Sequence, residues 1–157
     1  FENTEVCAMI TDGEEAGLRG CKSWAKNHYD EYVNSGVETV VLCVDTLTDR
    51  DYLRVYNKDM TGTVKNNQQF SQLVMDASKD AGHDDIELSS VFFGSSDAAA
   101  FSQAGITATC LAAMDPRPAD YYHNRRDTAD RLVPETIKTG FDVIISTILN
   151  FDEKGLN

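Results

Sequence analysis

Short apolar runs alternate with amphipathic segments along almost the whole of this 157-residue chain. Residues 37–44, VETVVLCV, form a nearly continuous β-branched run, which is typical of a strand covered on both faces. Residues 66–81 instead carry apolar side chains at helical spacing. Because strand-like and helix-like segments follow one another, the sequence predicts an α/β fold with helices on both sides of a sheet.

The same reasoning predicts the remaining elements. Further strands are predicted at 5–11, 51–57 and 106–114, with 51–57 as an outer strand, and 86–94 is predicted as a strand or an extended segment. Further helices are predicted at 16–34 and 95–105, and a final helix starts at Pro134. The predicted buried stripe of that final helix comprises Ile137, Phe141, Ile144, Ile145, Ile148 and Leu149. No repeat or linker divides the chain, so we expect a single domain.

Composition excludes some classes of partner. A formal net charge of −12 argues against nucleic acid and anionic membranes, because both require a basic surface. No run approaches the roughly 20 apolar residues of a membrane span. The four cysteines lack CxxC spacing, so we interpret them as buried free thiols, which favours the cytoplasm. The chain starts with Phe1 and not Met, so we expect upstream sequence, and secreted or anchored forms stay open.

Polar residues follow three of the predicted strands. Glu14 and Glu15 follow the first strand, Asp45 follows 37–44, and His123 lies in the loop after 106–114. Side chains in such loops meet at one rim of an α/β sheet. Carboxylate and imidazole groups together suit zinc. Glu15 is then a ligand, and Glu14 a base beside a metal-bound water.

Each of these residues also has a simpler interpretation. An acidic pair before a helix can complement the helix dipole. An aspartate after a strand is often a cap, and a loop histidine is often exposed. A carboxylate-rich rim can instead bind Ca²⁺ or Mg²⁺, although His123 is unusual for such ions. The other two histidines, His28 and His83, are interpreted as structural. The zinc hypothesis therefore depends on the three loops together.

Four segments resemble, in the same order, motifs of the co-catalytic di-zinc aminopeptidase family of clan MH metallopeptidases. They are TDGEEAGLRGCKSWAK at 11–26, VVLCVD at 40–45, SSDAAAFSQAGI at 95–106 and YYHNRRDTADRL at 121–132. The family includes bacterial leucyl aminopeptidases, glutamate carboxypeptidase, glutaminyl cyclase and the transferrin receptor ectodomain. The resemblance extends over nearly the whole chain.

This resemblance implies a fold and a reaction. The fold is a three-layer αβα sandwich with a mixed, mostly parallel sheet, and the reaction removes N-terminal residues from peptide substrates with two zinc ions. Glu14 corresponds to the general base, Glu15 and His123 to ligands of one zinc, and Asp45 to a ligand of the other. Tyr122 precedes the ligand histidine, where in some family members a tyrosine donates to the developing oxyanion; ordinary packing within the loop is the alternative interpretation. Asp97 and Asp127 correspond to caps or to groups that support the ligands.

The resemblance also implies groups that are missing here. Family members have a histidine ligand and a bridging aspartate upstream of the acidic pair. Only thirteen residues precede Glu14, and they supply neither. We therefore expect residues 1–157 to be the C-terminal part of a single catalytic domain, inactive alone and holding fewer than two zinc ions. Without these groups, carboxylates at the rim are predicted to have raised pKa values.

Two other functions remain open on the same fold. One is a non-catalytic interaction module, as in the transferrin receptor. The other is a zinc acyltransferase that resembles glutaminyl cyclase and cyclises N-terminal glutamine. Substrate residue preference and oligomeric state do not follow from the sequence.

Overall fold

A computed structural model describes residues 1–117 and 119–156 as a sheet covered by helices on both faces. The strands are β1 (Val40–Asp45), β2 (Leu53–Asp59), β3 (Val64–Lys65), β4 (Glu87–Ser90) and β5 (Thr107–Ala113). The α-helices are α1 (Arg19–Tyr32), α2 (Gln68–Asp80), α3 (Asp97–Gln103) and α4 (Pro134–Lys154). Short 3₁₀ turns cover Arg50–Tyr52 and Ala129–Arg131.

The sheet is mixed, as predicted. β1 pairs with β5 in parallel and β2 pairs with β4 in parallel, whereas β2 is antiparallel to both β5 and β3. Parallel pairs therefore do not outnumber antiparallel pairs in the described part of the chain, which corrects the expected mostly parallel sheet. The strand predicted at 51–57 forms as β2, but its predicted position at the edge of the sheet is wrong. It contacts three other strands, and Leu53, Val55 and Tyr56 are buried.

Strand β5 shows how the three layers form. Ala108, Cys110 and Ala112 belong to the apolar cluster under α1 and α3. Leu111 and Ala113 belong to the cluster under α2 and α4. Because successive side chains of a strand point to opposite faces, this one strand contributes to both cores. The three-layer αβα sandwich is therefore confirmed.

Residues 5–11 are the clearest departure from the predicted elements. They form no strand within the described residues. Val6, Met9 and Ile10 are exposed, Ile10 almost completely. An apolar run favours a strand only where a second strand accepts its hydrogen bonds. No such partner lies beside 5–11 in the described structure, so the local pattern alone does not produce one.

Helix α4 buries its predicted stripe only in part: Ile144 packs against the core, and Ile137 and Ile148 are half-buried. Its buried residues are Thr136, Thr139, Gly140, Val143 and Thr147, whereas Phe141, Ile145 and Leu149 are exposed. The helix packs through its small side chains. A Cβ atom at Gly140 would lie only 2.6 Å from Leu47 Cδ1. In the described structure, α4 and the other helices all fall short of the length and apolarity needed to cross a membrane.

We predict that Asp59→Ala lowers the free energy of unfolding by about 3 kcal/mol, because it leaves buried donors without an acceptor. Asp59 is completely buried at the end of β2. Its carboxylate accepts hydrogen bonds from the Met60 and Ser96 backbone amides, at 2.7 and 3.0 Å, and from the Ser96 hydroxyl. Urea unfolding of both proteins measures the difference. Asp59→Asn keeps an acceptor oxygen and should cost less; equal costs would contradict this explanation.

Candidate active site

The acidic pair lies in a tight turn that precedes α1. The amides of Gly17 and Leu18 both donate to the Glu14 carbonyl, at 2.9 and 2.8 Å. Gly17 has a φ of 97°, a region that favours glycine. Helix α1 begins only at Arg19 and has no acidic residue in its first turn. The turn, and not the end of the helix, therefore positions the two carboxylates, so the interpretation of the pair as dipole partners of α1 is not supported.

Asp97, the first residue of α3, forms hydrogen bonds with residues before and after this turn. The Thr11 hydroxyl donates to Asp97 Oδ2 at 2.6 Å, and the buried Cys21 thiol donates to Asp97 Oδ1 at 2.8 Å. Burial, followed by the hydrogen bond to Asp97, raises the pKa of Cys21 to about 12, so the thiol keeps the proton that it donates. Asp97 thus connects the segment before the turn, helix α1 and helix α3.

The structure brings two of the predicted zinc ligands into contact. His123 Nε2 lies 2.7 Å from Glu15 Oε1, although both side chains are more than half exposed. His123 adopts a left-handed backbone conformation with a φ of 56°, which is uncommon for a residue other than glycine. The Tyr122 ring stacks on the His123 ring, with 3.8 Å between their centroids. The loop after β5 therefore folds back onto the acidic turn.

Glu14 has the chemistry of a group that exchanges protons near neutral pH. Its own partial burial, followed by the charges of Glu15, Asp45 and Asp97, raises the pKa of Glu14 to about 7, and His123 opposes the shift. The predicted rise in carboxylate pKa is therefore confirmed at Glu14. The charges of Glu15, Asp45 and Asp97 therefore all act on Glu14.

The same negative charges act on Tyr122. Desolvation, followed by the charges of Glu15, Asp45 and Glu14, raises the pKa of the Tyr122 phenol above its ordinary value. The hydroxyl therefore keeps its proton at neutral pH and can donate a hydrogen bond, as the predicted oxyanion donor must.

We predict that the free energy of unfolding falls as the pH rises from about 4.5 to 7, by about 1 kcal/mol after allowance for solvent screening at Glu14. A raised pKa means that the folded protein favours the protonated acid, so this stability is present below pH 4.5 and is lost through pH 7. Glu14→Gln should remove that component. Urea unfolding at several pH values tests this, with Glu153→Gln on exposed α4 surface as the control. An identical pH dependence in wild type and Glu14→Gln would contradict it.

Of the two remaining predicted residues, Asp45 belongs to the acidic cluster around Glu14, and Asp127 does not. Asp45 ends β1, accepts a hydrogen bond from the Thr46 hydroxyl at 2.9 Å, and contributes charge at both Glu14 and Tyr122. Asp127 lies in the exposed loop, where its backbone amide donates to the Asn124 carbonyl. Its side chain forms no hydrogen bond within the described residues, so the structure does not bring it into the site.

The side chains at this rim are of the types that bind zinc. A carboxylate oxygen of Glu15 and an imidazole nitrogen of His123 are typical zinc ligands, and they already face each other. Throughout 1–117 and 119–156, however, no three His, Cys, Asp or Glu side chains are grouped closely enough to hold a metal ion. The described residues thus fit part of a zinc site, with Asp45 as a separate donor.

Sequence reasoning missed the partners of Asp97. Nothing in the pattern around Thr11 or Cys21 shows that either side chain reaches residue 97; only their place within the resembling motif sets them apart. The structure also refines the interpretation of the cysteines, all four of which are free. Cys21 and Cys110 are buried as predicted, whereas Cys7 is exposed. The cytoplasmic location stays a prediction.

Solved structures with a similar fold include aminopeptidases, one of which is described as a zinc enzyme, and a glutaminyl cyclase. The chain aligns to Legionella pneumophila LapA aminopeptidase with a TM-score of 0.71 and 16% identity, over 90% of this chain and 38% of LapA. For BSAP, a zinc aminopeptidase from Bacillus subtilis, the TM-score is 0.66 and the identity 20%, over 88% and 34%. For an Acidobacteriales bacterium glutaminyl cyclase the values are 0.68 and 17%, over 88% and 47%.

At these identities the structural matches show the fold, and the chain spans less than half the length of each of these proteins. No curated protein sequence matched the chain significantly. The model of peptidase family M28, however, matches residues 2–148, which is nearly the whole chain. The chain therefore belongs to peptidase family M28.

Proposed function

We propose that this chain forms the C-terminal part of the catalytic domain of a zinc aminopeptidase, which hydrolyses N-terminal residues from peptides. The observation that carries the proposal is the contact between Glu15 and His123, at 2.7 Å, next to the neighbouring carboxylate of Glu14. Membership of peptidase family M28 supports a peptidase. Two structurally similar proteins support the finer assignment, since BSAP is a zinc aminopeptidase and the protein from Aneurinibacillus sp. strain AM-1 is an aminopeptidase.

In this proposal Glu14 exchanges the proton. In the complete site the Glu14 carboxylate would accept a proton from the attacking water and return it to the leaving amine. Tyr122 keeps its phenolic proton and donates a hydrogen bond to the oxyanion. Zinc, when held by Glu15, His123 and Asp45 with ligands from outside 1–157, would polarise the carbonyl and acidify water.

A second candidate is cyclisation of N-terminal glutamine. It is favoured by the structural match to a glutaminyl cyclase, of which the chain covers a larger share than of the aminopeptidases above. The residues of the acidic turn and of the His123 loop serve either reaction, because both need zinc and a carboxylate that transfers protons.

The deciding experiment uses the full-length polypeptide that contains these residues. We expect it to release the amine from leucyl p-nitroanilide, to lose that activity with a chelator, and to regain it with Zn²⁺. Faster turnover of glutaminyl-peptide to the cyclic product than of the leucyl substrate would favour the second candidate. A zinc-loaded protein inactive on a full panel of aminoacyl p-nitroanilides, as well as on the glutaminyl peptide, would contradict both candidates and favour the interaction module.

The isolated 157-residue chain gives a further prediction. We expect elemental analysis after dialysis at neutral pH to find less than one zinc per chain, because the described residues group no three ligands. His123→Ala removes one of the two candidate zinc ligands that contact each other, so it should lower the zinc content per chain. His28→Ala should leave the zinc content unchanged. Two zinc ions held tightly by the isolated chain would show that it completes the site itself.

A further inference from the structure

Asn124, the residue after His123, binds the main chain on both sides of that histidine. Its Nδ2 donates to the Asp120 carbonyl at 2.9 Å and to the Tyr122 carbonyl at 3.1 Å. Its Oδ1 accepts a hydrogen bond from the Arg126 backbone amide at 2.9 Å. All the hydrogen bonds that this side chain forms with described residues therefore go to main-chain groups of one loop, the loop that contains His123.

Burial contributes little to the order of this loop, because residues 122–131 are all exposed. Its one ion pair, between Arg126 and Asp120 at 3.5 Å, joins two exposed side chains, and such pairs contribute little. Every hydrogen bond that the structure describes within 120–127 has Asn124 as donor or acceptor. The conformation of the loop therefore depends mainly on this residue.

The two peptide groups that flank His123 are both bonded through Asn124. The group before His123 contains the Tyr122 carbonyl, which accepts from Asn124 Nδ2. The group after it contains the Asn124 amide, which donates to the Tyr121 carbonyl at 3.3 Å. Because φ and ψ of a residue describe how its two flanking peptide planes are turned, these two bonds fix the backbone conformation of His123.

That conformation needs support from its surroundings. His123 has a φ of 56°, and a residue other than glycine keeps such a left-handed conformation only where neighbouring groups hold it. In this conformation the imidazole Nε2 lies 2.7 Å from Glu15 Oε1. Without the hydrogen bonds from Asn124, His123 would return to an ordinary negative φ, and its imidazole would turn away from Glu15.

We infer that Asn124 is a positioning residue for the proposed zinc site, because it holds His123 in the left-handed conformation that directs the imidazole at Glu15. The inference rests on the proposed function, which makes His123 and Glu15 ligands of one zinc ion. The side chain of Asn124 bonds to the main chain of the loop, so it acts through His123. Residues that orient a metal ligand typically change metal affinity by about 10- to 100-fold.

The zinc affinity of the full-length protein, measured by competition with a chromophoric chelator, tests the inference separately from activity. Asn124→Ala removes the three side-chain hydrogen bonds and should weaken the binding of one zinc ion by about tenfold or more. Asn34→Ala is the matched control. It removes an exposed asparagine whose amide donates to Asp30 at 2.6 Å, and it should leave zinc affinity unchanged. Wild-type zinc affinity in Asn124→Ala would overturn the inference.

A double-mutant cycle separates positioning of His123 from a general loss of structure. His123→Ala removes the ligand through which Asn124 acts, so Asn124→Ala should weaken zinc binding no further in that background. An equal loss of zinc affinity in both backgrounds would show that Asn124 acts independently of His123, and would overturn the inference.

The same measurements distinguish this inference from the proposed function. A full-length protein that binds zinc but hydrolyses no aminoacyl p-nitroanilide would contradict the proposed aminopeptidase alone, because the zinc affinities of the Asn124 and His123 variants still decide the role of Asn124. A full-length protein that binds no zinc would overturn both.

Discussion

Glu14→Gln is expected to reduce kcat of the full-length enzyme by about 10²- to 10⁴-fold, the usual contribution of a general acid–base group, with its zinc content unchanged. The amide has almost the same shape as the carboxylate but cannot accept the proton of the attacking water. Glu14 is the carboxylate that the proposed function places beside the attacking water, so its loss removes the proton acceptor. Steady-state kinetics on a leucyl substrate, together with elemental analysis, measures both quantities.

Two controls separate this role from others at the same rim. Glu15→Gln replaces a carboxylate that lies 2.7 Å from His123 by an amide, which is a weaker zinc ligand. This variant should therefore reduce both zinc content and kcat. Glu153→Gln changes an exposed residue of α4 by the same chemistry and should leave both unchanged. If Glu14→Gln retained more than about a tenth of wild-type kcat, Glu14 would not be the general base.

The parts of the fold that depend on local chemistry were predictable. Helix α2, predicted over 66–81, forms at Gln68–Asp80 because the Asn67 side chain accepts from the Phe70 amide and caps its start. Helix α3 likewise begins after Ser96, whose hydroxyl accepts from the Ala98 amide. Such caps lie within a few residues of the amides that they satisfy, so one sequence contains the whole signal.

The parts that depend on distant partners were not predictable. Residues 5–11 have the composition of a strand, yet a strand exists only where another chain segment pairs with it. In α4 the most apolar residues do not all lie on the buried face. The helix instead packs closely against Leu47 at Gly140. Local patterns show which faces are able to pack, and the tertiary fold selects among them.

The candidate site shows the same division. Glu14, Glu15, Asp45 and His123 were found because each follows a strand-like run and matches a motif in order. The distance between Glu15 and His123 agrees with that grouping. The support that Asp97 gives through Thr11 and Cys21 crosses 86 and 76 residues of sequence, and no local pattern indicates such contacts.

Gly20→Ala should cause the largest structural change of any single methyl addition at the site. A Cβ atom at Gly20 would lie 2.4 Å from the Asp12 carbonyl oxygen and 2.9 Å from the Asp12 nitrogen. Both are backbone atoms, and the Gly20 amide itself donates to that carbonyl at 3.0 Å. Relief of the clash therefore requires that α1 and the segment leading to Glu14 move apart and that this hydrogen bond break.

We expect Gly20→Ala to lower the free energy of unfolding by about 1–3 kcal/mol, as for other overpacked sites, and to displace the acidic turn. Because small displacements of catalytic groups are costly, kcat/KM of the full-length enzyme should fall at least about tenfold. Gly140→Ala is the matched control, since its crowding involves the flexible end of Leu47 on the other face of the sheet. It should cost stability but leave kcat/KM unchanged. Equal effects of the two variants on kcat/KM would mean that loss of stability, and not the position of the Glu14 turn, limits activity.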